Sequence, residues 1–276
     1  MAPWPRGRLA GKILFPEALA VRLAGMGMKR MGTATTGFQT LEIWKSAASC
    51  EFRVAGAVHA WWHRDRFLTG LAWDNHAAAA LLRPAGPPRS VLMLGVAGGT
   101  TLRTLRHLLP DAEITAVEID PDILEIAREH MELDRLGVEI HVADAYEWVR
   151  QCKRKFDVVI DDCYLAGAED VFRPERDPGR LIEILRPAIS RGGLFAMNLV
   201  TGSGHRRLQS KTRAAARRAF SQVKSVTTPD SMNEALVGGG EILGATALGA
   251  WQAHFPQSKD RDFWSRLRVR SLGGPR

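Results

Sequence analysis

Apolar residues in the second half of the chain follow two alternating periods. Five short apolar runs predict buried strands, and the segments between them carry leucine and isoleucine at three- and four-residue spacing, as amphipathic helices do. Such alternation predicts a parallel sheet with helices on both faces. The predicted strands span residues 90–96, 113–119, 138–144, 156–162 and 193–200. The predicted helices span residues 100–109, 121–133 and 178–190.

The chain before this sheet has a different pattern. Residues 38–73 contain short alternating runs broken by glycine, which predict β-hairpins, and residues 73–84 predict a helix that leads into the sheet. We therefore expect a flexible N-terminal extension over residues 1–36, a small β-hairpin domain with its linking helix over 37–84, and an α/β domain over 85–276.

The last quarter of the chain begins with a basic helical pattern over residues 202–220. Residues 222–229 and 233–240 then predict an antiparallel pair of strands that closes the sheet. Residues 241–256 and 261–270 carry an apolar stripe, so we expect a helical end with a basic tail.

Composition narrows the class of protein. Hydrophobic residues make up 45% and charged residues 25% of the 276 residues, as in soluble globular proteins. The three cysteines form no CxxC pair and no zinc-type cluster, so we expect no metal site and a reducing, cytoplasmic location. No stretch reaches the roughly 18 apolar residues of a membrane span. The net charge of +8 allows acidic partners.

A glycine-rich turn follows the first strand of the predicted sheet. The segment "VLMLGVAGGT" places Gly95, Gly98 and Gly99 before a helix, where bare backbone and the positive helix end lie side by side. The spacing is not that of the dinucleotide fingerprint, because Ala97 stands at its middle glycine. The turn alone is compatible with a ligand site and with a tight turn that holds no ligand.

Acidic residues end the next three strands. Glu118 lies about twenty residues beyond the glycines, where an acid can accept hydrogen bonds from two ribose hydroxyls. Asp144 ends the third strand, where it can accept from an adenine amino group, and Asp161 and Asp162 end the fourth. The carboxyl ends of parallel strands form the usual ligand crevice of open α/β sheets. The pattern therefore predicts a nucleoside-containing ligand at this edge.

The combined pattern "LGVAGGTTLRTL … VEID … VADA … FDVVIDD" resembles class I S-adenosylmethionine-dependent transferases, and within them the spermidine synthase-like group. The resemblance covers roughly residues 37–240 and includes the hairpin segment "FQTLEIW". It implies an α/β fold: a Rossmann-like class I methyltransferase sheet flanked by helices, with a small N-terminal β-hairpin domain. It also implies S-adenosylmethionine or decarboxylated S-adenosylmethionine as cofactor, no metal, and a homodimer.

The resemblance implies a set of cofactor contacts. The glycine turn would line the methionine and ribose portions, Glu118 would bind the ribose, and Asp144 with Ala145 would meet the adenine, while two residues would contribute from the N-terminal side. The implied cofactor-binding residues are Gly95, Ala97, Gly98, Gly99, Glu118, Asp120, Asp144, Ala145, Gln39 and His76.

Two departures from the family pattern bear on the reaction. Gly98 stands where spermidine synthases have an aspartate, and Leu165 stands where they have the second acid of an Asp-Ser-Ser-Asp run. Desolvating a diamine without paired carboxylates is costly. The sequence therefore favours a methyltransferase that acts on a small amine or hydroxyl acceptor, with Asp162 as general base. Asp162 could instead cap the following helix.

Two other functions remain open from the sequence. The first is a polyamine aminopropyltransferase that uses decarboxylated S-adenosylmethionine, with Asp161 and Asp162 as a displaced acid pair. The second is nucleic-acid binding or RNA/DNA methylation, which is not favoured because a basic helix is more often a solvated face. Its candidate residues are Arg206, Arg207, Lys211, Arg213, Arg217 and Arg218.

Overall fold

The computed structural model of the protein describes residues 27–166, 171–175, 177–201, 203–229 and 231–273. The described chain begins with a four-stranded antiparallel sheet, in which each strand pairs with the next along the sequence. Its strands are β1 (Lys29–Thr35), β2 (Thr40–Lys45), β3 (Ser49–Val54) and β4 (Ala57–His63). The predicted N-terminal hairpins are therefore confirmed.

The predicted extension over residues 1–36 ends too late, because β1 lies within it and pairs with β2. The sequence pattern did not predict β1 because it is an edge strand with one large apolar residue, Met31. The surface of Met31 is 65% exposed. An edge strand that buries neither face shows no hydrophobic alternation. The rest of the expected extension, residues 1–26, lies outside the described residues.

The second sheet has eight strands and contains the predicted parallel core. Its strands are β5 (Ser90–Leu94), β6 (Glu113–Glu118), β7 (Glu139–Val142), β8 (Phe156–Asp161), β11 (Ile189–Val200), β12 (Gln222–Thr227), β13 (Asn233–Gly239) and β14 (Arg268–Ser271). Two short strands, β9 (Leu165–Ala166) and β10 (Val171–Phe172), pair with each other after β8. The order across the large sheet is β14-β12-β13-β11-β8-β5-β6-β7. Strands β7, β6, β5, β8 and β11 are mutually parallel, and β13 is antiparallel to β11.

Helices cover both faces of this sheet, so its central strands are apolar on both sides. The helices are α1 (Ala72–Ala80), α2 (Thr100–Leu108), α3 (Pro121–Met131), α4 (Ala145–Gln151), α5 (Pro178–Leu185), α6 (Arg206–Ala219), α7 (Thr246–Gly249) and α8 (Ser258–Ser265). One buried cluster joins α1, α2 and α3 to the first sheet, and a second lies under α4, α5 and α6. Among the described residues, no helix is both long and apolar enough to cross a membrane.

The five predicted parallel strands and the closing pair β12–β13 are confirmed. The predicted helical end is wrong in part. Residues 268–271 form the strand β14, which pairs with β12, and the helices before it are short. A run of four residues is too short to distinguish the helical period of hydrophobic residues from the strand period. Pairing with the sheet edge at β12 therefore decides the conformation of this segment.

Candidate functional site

The glycine turn lies between β5 and α2 at the carboxyl edge of the large sheet. Gly95 has φ +83°, and a Cβ at this position would lie 2.6 Å from the Asp162 carbonyl oxygen. Gly99 caps α2 with φ +76°, and Ala97 adopts φ +47° between them. The chain therefore needs glycine at 95 for two reasons, the left-handed backbone and the close approach of the strand β8 end.

Glu118, at the end of β6, is bonded to the glycine turn. One carboxylate oxygen accepts from the backbone N–H groups of Val96 and Ala97, at 2.8 and 3.0 Å. The other accepts from the N–H groups of Ile119 and Asp120, at 2.8 and 3.1 Å. A carboxylate offers about four acceptor positions, so the backbone fills them all. A ligand hydroxyl at Glu118 would therefore have to share or replace backbone bonds, and ribose binding there stays a prediction.

Asp120 and Asp144 both cap helices. Asp120 accepts from two N–H groups at the start of α3, and its second oxygen accepts from the Thr36 hydroxyl at 2.6 Å. Both oxygens of its carboxylate are thus engaged. One oxygen of Asp144 accepts from the N–H groups that begin α4, at 2.9 and 3.0 Å. Asp144 and the buried Ala145 lie just beyond the carboxyl end of β7, and adenine binding at this position stays a prediction.

Gln39 and Gly98, two more of the predicted cofactor-binding residues, lie close to the N-terminal sheet. The Gln39 backbone carbonyl accepts from the N–H of Thr36, the residue that bonds Asp120, so Gln39 is tied to the edge of the large sheet. A side chain at Gly98 would overlap Met131 Sδ and Ala60 Cβ. The aspartate that spermidine synthases carry at this position would therefore not fit this turn without rearrangement.

Asp162 follows β8 and lies between α1 and β11. Its carboxylate accepts from the Asn198 side-chain amide at 2.6 Å and lies 3.8 Å from His76 Nδ1. Burial raises the pKa of Asp162 to about 7, against the lowering effects of the Asn198 hydrogen bond and of Arg173. Burial also lowers the pKa of His76 to about 3, assisted by Arg173. His76 is therefore neutral, and the two groups form no ion pair.

An asparagine network holds Asp162 in place. The Asn233 amide donates to the Asn198 side-chain oxygen at 2.9 Å, and the Asn75 amide donates to the Asn233 carbonyl at 3.2 Å. Asn75 and His76 are brought here by α1, which is buried through a run of four alanines. The predicted role of Asp162 as a helix cap is not met, because the described structure places no helix directly after it.

Three buried polar atoms near Asp162 have no hydrogen-bond partner among the described residues. They are both ring nitrogens of His76 and the side-chain oxygen of Asn75. Buried polar atoms are rarely left unpaired, and such groups often mark a position that a ligand or water occupies. Together with Glu118 and Asp144 along the same edge, they fit a nucleoside ligand with a polar end at Asp162. Within the described residues no cluster of His, Cys, Asp or Glu could hold a metal ion.

Asp161 has a different environment. Its carboxylate is fully buried, forms an ion pair with Arg173, and accepts from the Tyr146 hydroxyl at 3.3 Å. The Arg173 guanidinium thus pairs with Asp161 and not with Asp162, so the two acids are not equivalent; that they act together as an acid pair stays a prediction. Arg173 also donates to the Asn198 carbonyl and lies over the Tyr164 ring.

Arg173, like Asn198 and Asn233, is a site residue that the sequence did not reveal. It lies twelve residues after Asp161, beyond β9 and β10, and the hairpin of these two strands returns it to the sheet edge. No periodicity or motif marks such a partner, because its position depends on the path of a loop.

The basic residues of α6 fall into two groups. Arg213 forms an ion pair with Glu234 at 2.6 Å, and Arg217 donates to the Leu272 carbonyl at 3.2 Å. Two of the six candidate nucleic-acid contacts therefore support the fold, and Arg206, Arg207, Lys211 and Arg218 are exposed.

The strand order and the glycine turn define a class I methyltransferase-like α/β fold. Residues 76–230 match the family model described as the spermine/spermidine synthase domain. This range is more than half of the chain, so the chain belongs to that family.

Relatives in this family carry two kinds of name. The chain is 29% identical over 137 residues to a probable polyamine aminopropyl transferase of Bifidobacterium longum, covering 49% of this chain and 29% of the relative. It is 32% identical over 134 residues to a polyamine aminopropyltransferase of Neisseria meningitidis, covering 48% and 50%. An eEF1A lysine and N-terminal methyltransferase homolog of Drosophila melanogaster is 32% identical over 123 residues, covering 41% and 18%. The chain thus matches half or less of the length of these relatives.

Solved structures show the same fold. A probable spermidine synthase from Corynebacterium glutamicum has a TM-score of 0.67 at 18% identity and covers 87% of this chain and 90% of its own. A spermidine synthase in complex with the transition-state analogue AdoDATO has a TM-score of 0.65 at 17% identity, covering 87% and 89%. Human methyltransferase-like protein 13 in complex with SAH has a TM-score of 0.52 at 20% identity, covering 68% and 89%.

Proposed function

We propose that this protein transfers an aminopropyl group from decarboxylated S-adenosylmethionine to an amine, with Asp162 as the proton acceptor. The observation that carries the proposal is the largely buried Asp162 carboxyl, whose side chain is 15% exposed and whose pKa is about 7, beside the unpaired ring of His76. The relatives favour this reaction over the methyl transfer that the sequence analysis placed first, since several are named polyamine aminopropyltransferases.

The cofactor would lie along the carboxyl edge of the sheet. In this proposal Asp144 and Ala145 meet the adenine, Glu118 takes the ribose, and the turn at Gly95 lies under the sulfonium. This order follows the strand order β7, β6, β5. When bound, the cofactor supplies an electrophilic carbon beside a positively charged sulfur. Asp120 contributes indirectly, by anchoring Thr36 near Gln39.

The protein's own contribution is to position and deprotonate the amine. Asp162 is ionised above about pH 7 and then accepts a proton from the attacking nitrogen. Asn198 fixes the carboxylate through one oxygen, which leaves the other directed near His76. His76 is neutral, so its ring can accept or donate a hydrogen bond without repelling an ammonium group. Holding the nitrogen in line with the electrophilic carbon supplies most of the acceleration.

Methyl transfer from S-adenosylmethionine is the second candidate. It is favoured by Leu165 at the position of the second acid and by the Arg173 ion pair, which removes Asp161 as a binding group for a cation. A methyltransferase homolog among the relatives supports it too.

The test is the release of methylthioadenosine from decarboxylated S-adenosylmethionine in the presence of a primary amine, followed by liquid chromatography. The proposal predicts release that depends on both the amine and the protein. Absence of release under conditions in which the nucleoside binds would contradict it. We also expect a homodimer, which light scattering of the purified chain would measure.

A further inference from the structure

The helix α6 and the edge strand β14 carry exposed cations that have no acidic partner. Among the described residues, none of these side chains forms an ion pair or a hydrogen bond. The cations are Arg206, Arg207, Lys211 and Arg218 on α6, and Arg268 and Arg270 on β14.

Both sets of cations lie on one face of the large sheet. Val223 of β12 packs in the buried cluster under α6. Ser225 and Thr227 point to the same face as Val223, because side chains alternate along a strand. These two residues are the antiparallel partners of Arg270 and Arg268, and directly paired residues share a face. The two arginines of β14 therefore point to the side of the sheet that α6 covers.

Other contacts of β14 agree with this placement. Val269, between the two arginines, packs against the cluster on the opposite face of the sheet. Arg217 of α6 donates to the Leu272 carbonyl at 3.2 Å, which holds the end of the helix beside the end of β14. The helix and the edge strand are therefore neighbours on one surface.

On α6 the exposed cations form a ridge. Arg207, Lys211 and Arg218 follow one another at intervals of four and seven residues, so they lie on the same side of the helix. The ridge is about 16 Å long at a rise of 1.5 Å per residue. Such a row can contact several groups of an extended polyanion.

Negative charge is missing from both segments. Residues 203–229 and 263–273 contain no aspartate or glutamate. Glu234 of β13, which lies next to α6, is already paired with Arg213. Solvated helix faces commonly carry both signs of charge. On α4, for example, Arg150 pairs with an acid one turn earlier in the same helix. The surface of α6 and β14 departs from that pattern.

The side chains of this surface favour phosphate groups as the partner. The elements α6 and β14 contain no aromatic residue, so the bases of a single strand would have no ring on which to stack. The exposed large apolar residues of the described chain, Met31, Val142 and Met232, lie outside both elements. Protein interfaces and membrane-surface helices depend on such apolar anchors. Interfaces with nucleic acids are polar and strongly positive instead.

We propose that α6 and β14 together bind the phosphate backbone of a double-stranded nucleic acid. Contacts of this kind position a protein on a duplex without reading its sequence. The surface is separate from the proposed reaction site, because Asp162 lies 3.8 Å from His76 of α1, and α1 packs on the opposite face of the sheet. The nucleic acid is thus a binding partner and not the amine acceptor, and the inference does not rest on the proposed function.

The test is the fluorescence anisotropy of a labelled DNA duplex of about 20 base pairs, titrated with the full chain from about 50 to 200 mM salt. Two double variants each remove two positive charges: Arg207→Gln with Arg218→Gln on α6, and Arg268→Gln with Arg270→Gln on β14. We expect each to weaken binding about tenfold at about 100 mM salt and to make the slope of log K against log salt shallower by about 2.

The matched control is Arg135→Gln with Arg150→Gln, which also removes two positive charges. These arginines are paired with acids and lie before and after β7, the opposite edge strand of the sheet. The control should stay within about twofold of the native affinity, because it loses no phosphate contact. Thermal melts establish that each variant is folded, and if one double variant does not fold the other carries the test.

Three results would overturn the inference. The first is the absence of duplex binding at about 50 mM salt, where such contacts are strongest. The second is an equal loss in the control and in the α6 and β14 variants, which would show that only the net charge of the chain matters. The third is tighter binding of another probe: the corresponding single strand, polyglutamate as an acidic polypeptide, or phosphatidylserine vesicles as an anionic membrane.

Discussion

Asp161 and Asp162 are consecutive residues whose carboxylates lie in separate environments. Asp161 is paired with Arg173 and contacts Tyr146 of α4, whereas Asp162 contacts Asn198 and lies 3.8 Å from His76 of α1. Side chains alternate between the faces of a strand, so two adjacent acids at the end of β8 are sent to opposite faces. One acid forms a buried ion pair, and the other is the one that the proposed function uses as proton acceptor.

Asp162→Asn should remove the pH dependence that this acid confers. In the native protein the base is protonated below its pKa of about 7, so amine transfer should rise with pH through about 7 and then level off. The amide cannot take a proton, so we expect a rate loss of about 10²–10⁴-fold and no inflection near pH 7, with only the rise that comes from deprotonation of the amine itself. Initial rates measured from about pH 5.5 to 8.5 would check this.

The matched control for Asp162→Asn is Asp111→Asn, since Asp111 is exposed and lies in the turn before β6. It should keep the native rate and profile. A native rising limb in Asp162→Asn would remove Asp162 from the reaction.

Arg173→Met should destabilise the fold strongly. The substitution leaves the Asp161 carboxylate buried without its cation, and breaking a buried pair in this way costs about 3–5 kcal/mol. Urea unfolding would measure the loss. The double variant Arg173→Met with Asp161→Asn should recover much of it, because the amide carries no charge.

Arg180→Met is the comparison for that loss, because Arg180 is 68% exposed and its pair with Glu175 is long. Exposed pairs contribute about 0–1 kcal/mol. Equal losses for Arg173→Met and Arg180→Met would mean that the Asp161 pair has no special importance.

Much of the fold and part of the site were predictable from local sequence. The strands β5, β6 and β8 are mostly apolar because both of their faces are buried, so the glycine after β5 and the acids at the ends of β6 and β8 are recognisable. Gly95 and Glu118 were predictable for the same reason, since each follows a recognisable strand end.

The remainder depends on contacts that are distant in sequence. Asn198 and Asn233 lie on strands that pair antiparallel, so their network with Asp162 exists once the sheet has formed. Arg173 pairs with Asp161 although twelve positions separate them in the sequence, and β14 joins the sheet by pairing with β12. Composition and periodicity carry no information about such long-range partners.

Gly95→Ala should disrupt the site more than a glycine substitution elsewhere. The added Cβ would lie 2.6 Å from the Asp162 carbonyl oxygen, so the end of β8 would have to move. We expect loss of S-adenosylhomocysteine binding in calorimetry, together with a lower melting temperature. Gly86→Ala is the control, because Gly86 has a similar φ of +87° and open space at its Cβ. If Gly95→Ala and Gly86→Ala lowered the melting temperature and the binding equally, the loss would come from backbone strain alone and not from the clash with Asp162.

Glu118→Ala should weaken nucleoside binding. The substitution removes a charged acceptor, and hydrogen bonds to charged groups contribute about 1.5–3 kcal/mol. It also releases the N–H groups of Val96 and Ala97, so the glycine turn should become less ordered. Calorimetry with S-adenosylhomocysteine would measure the change, with Glu147→Ala on the exposed side of α4 as control. Unchanged affinity in Glu118→Ala would exclude this carboxylate from the nucleoside site.

The central claim concerns which group is transferred, and a competition experiment tests it most directly. The protein is given equal concentrations of S-adenosylmethionine and decarboxylated S-adenosylmethionine together with n-pentylamine and putrescine, and the products are identified by mass spectrometry. Aminopropylated amine with methylthioadenosine is the predicted result. Methylated amine with S-adenosylhomocysteine as the dominant products would contradict it and identify the protein as a methyltransferase.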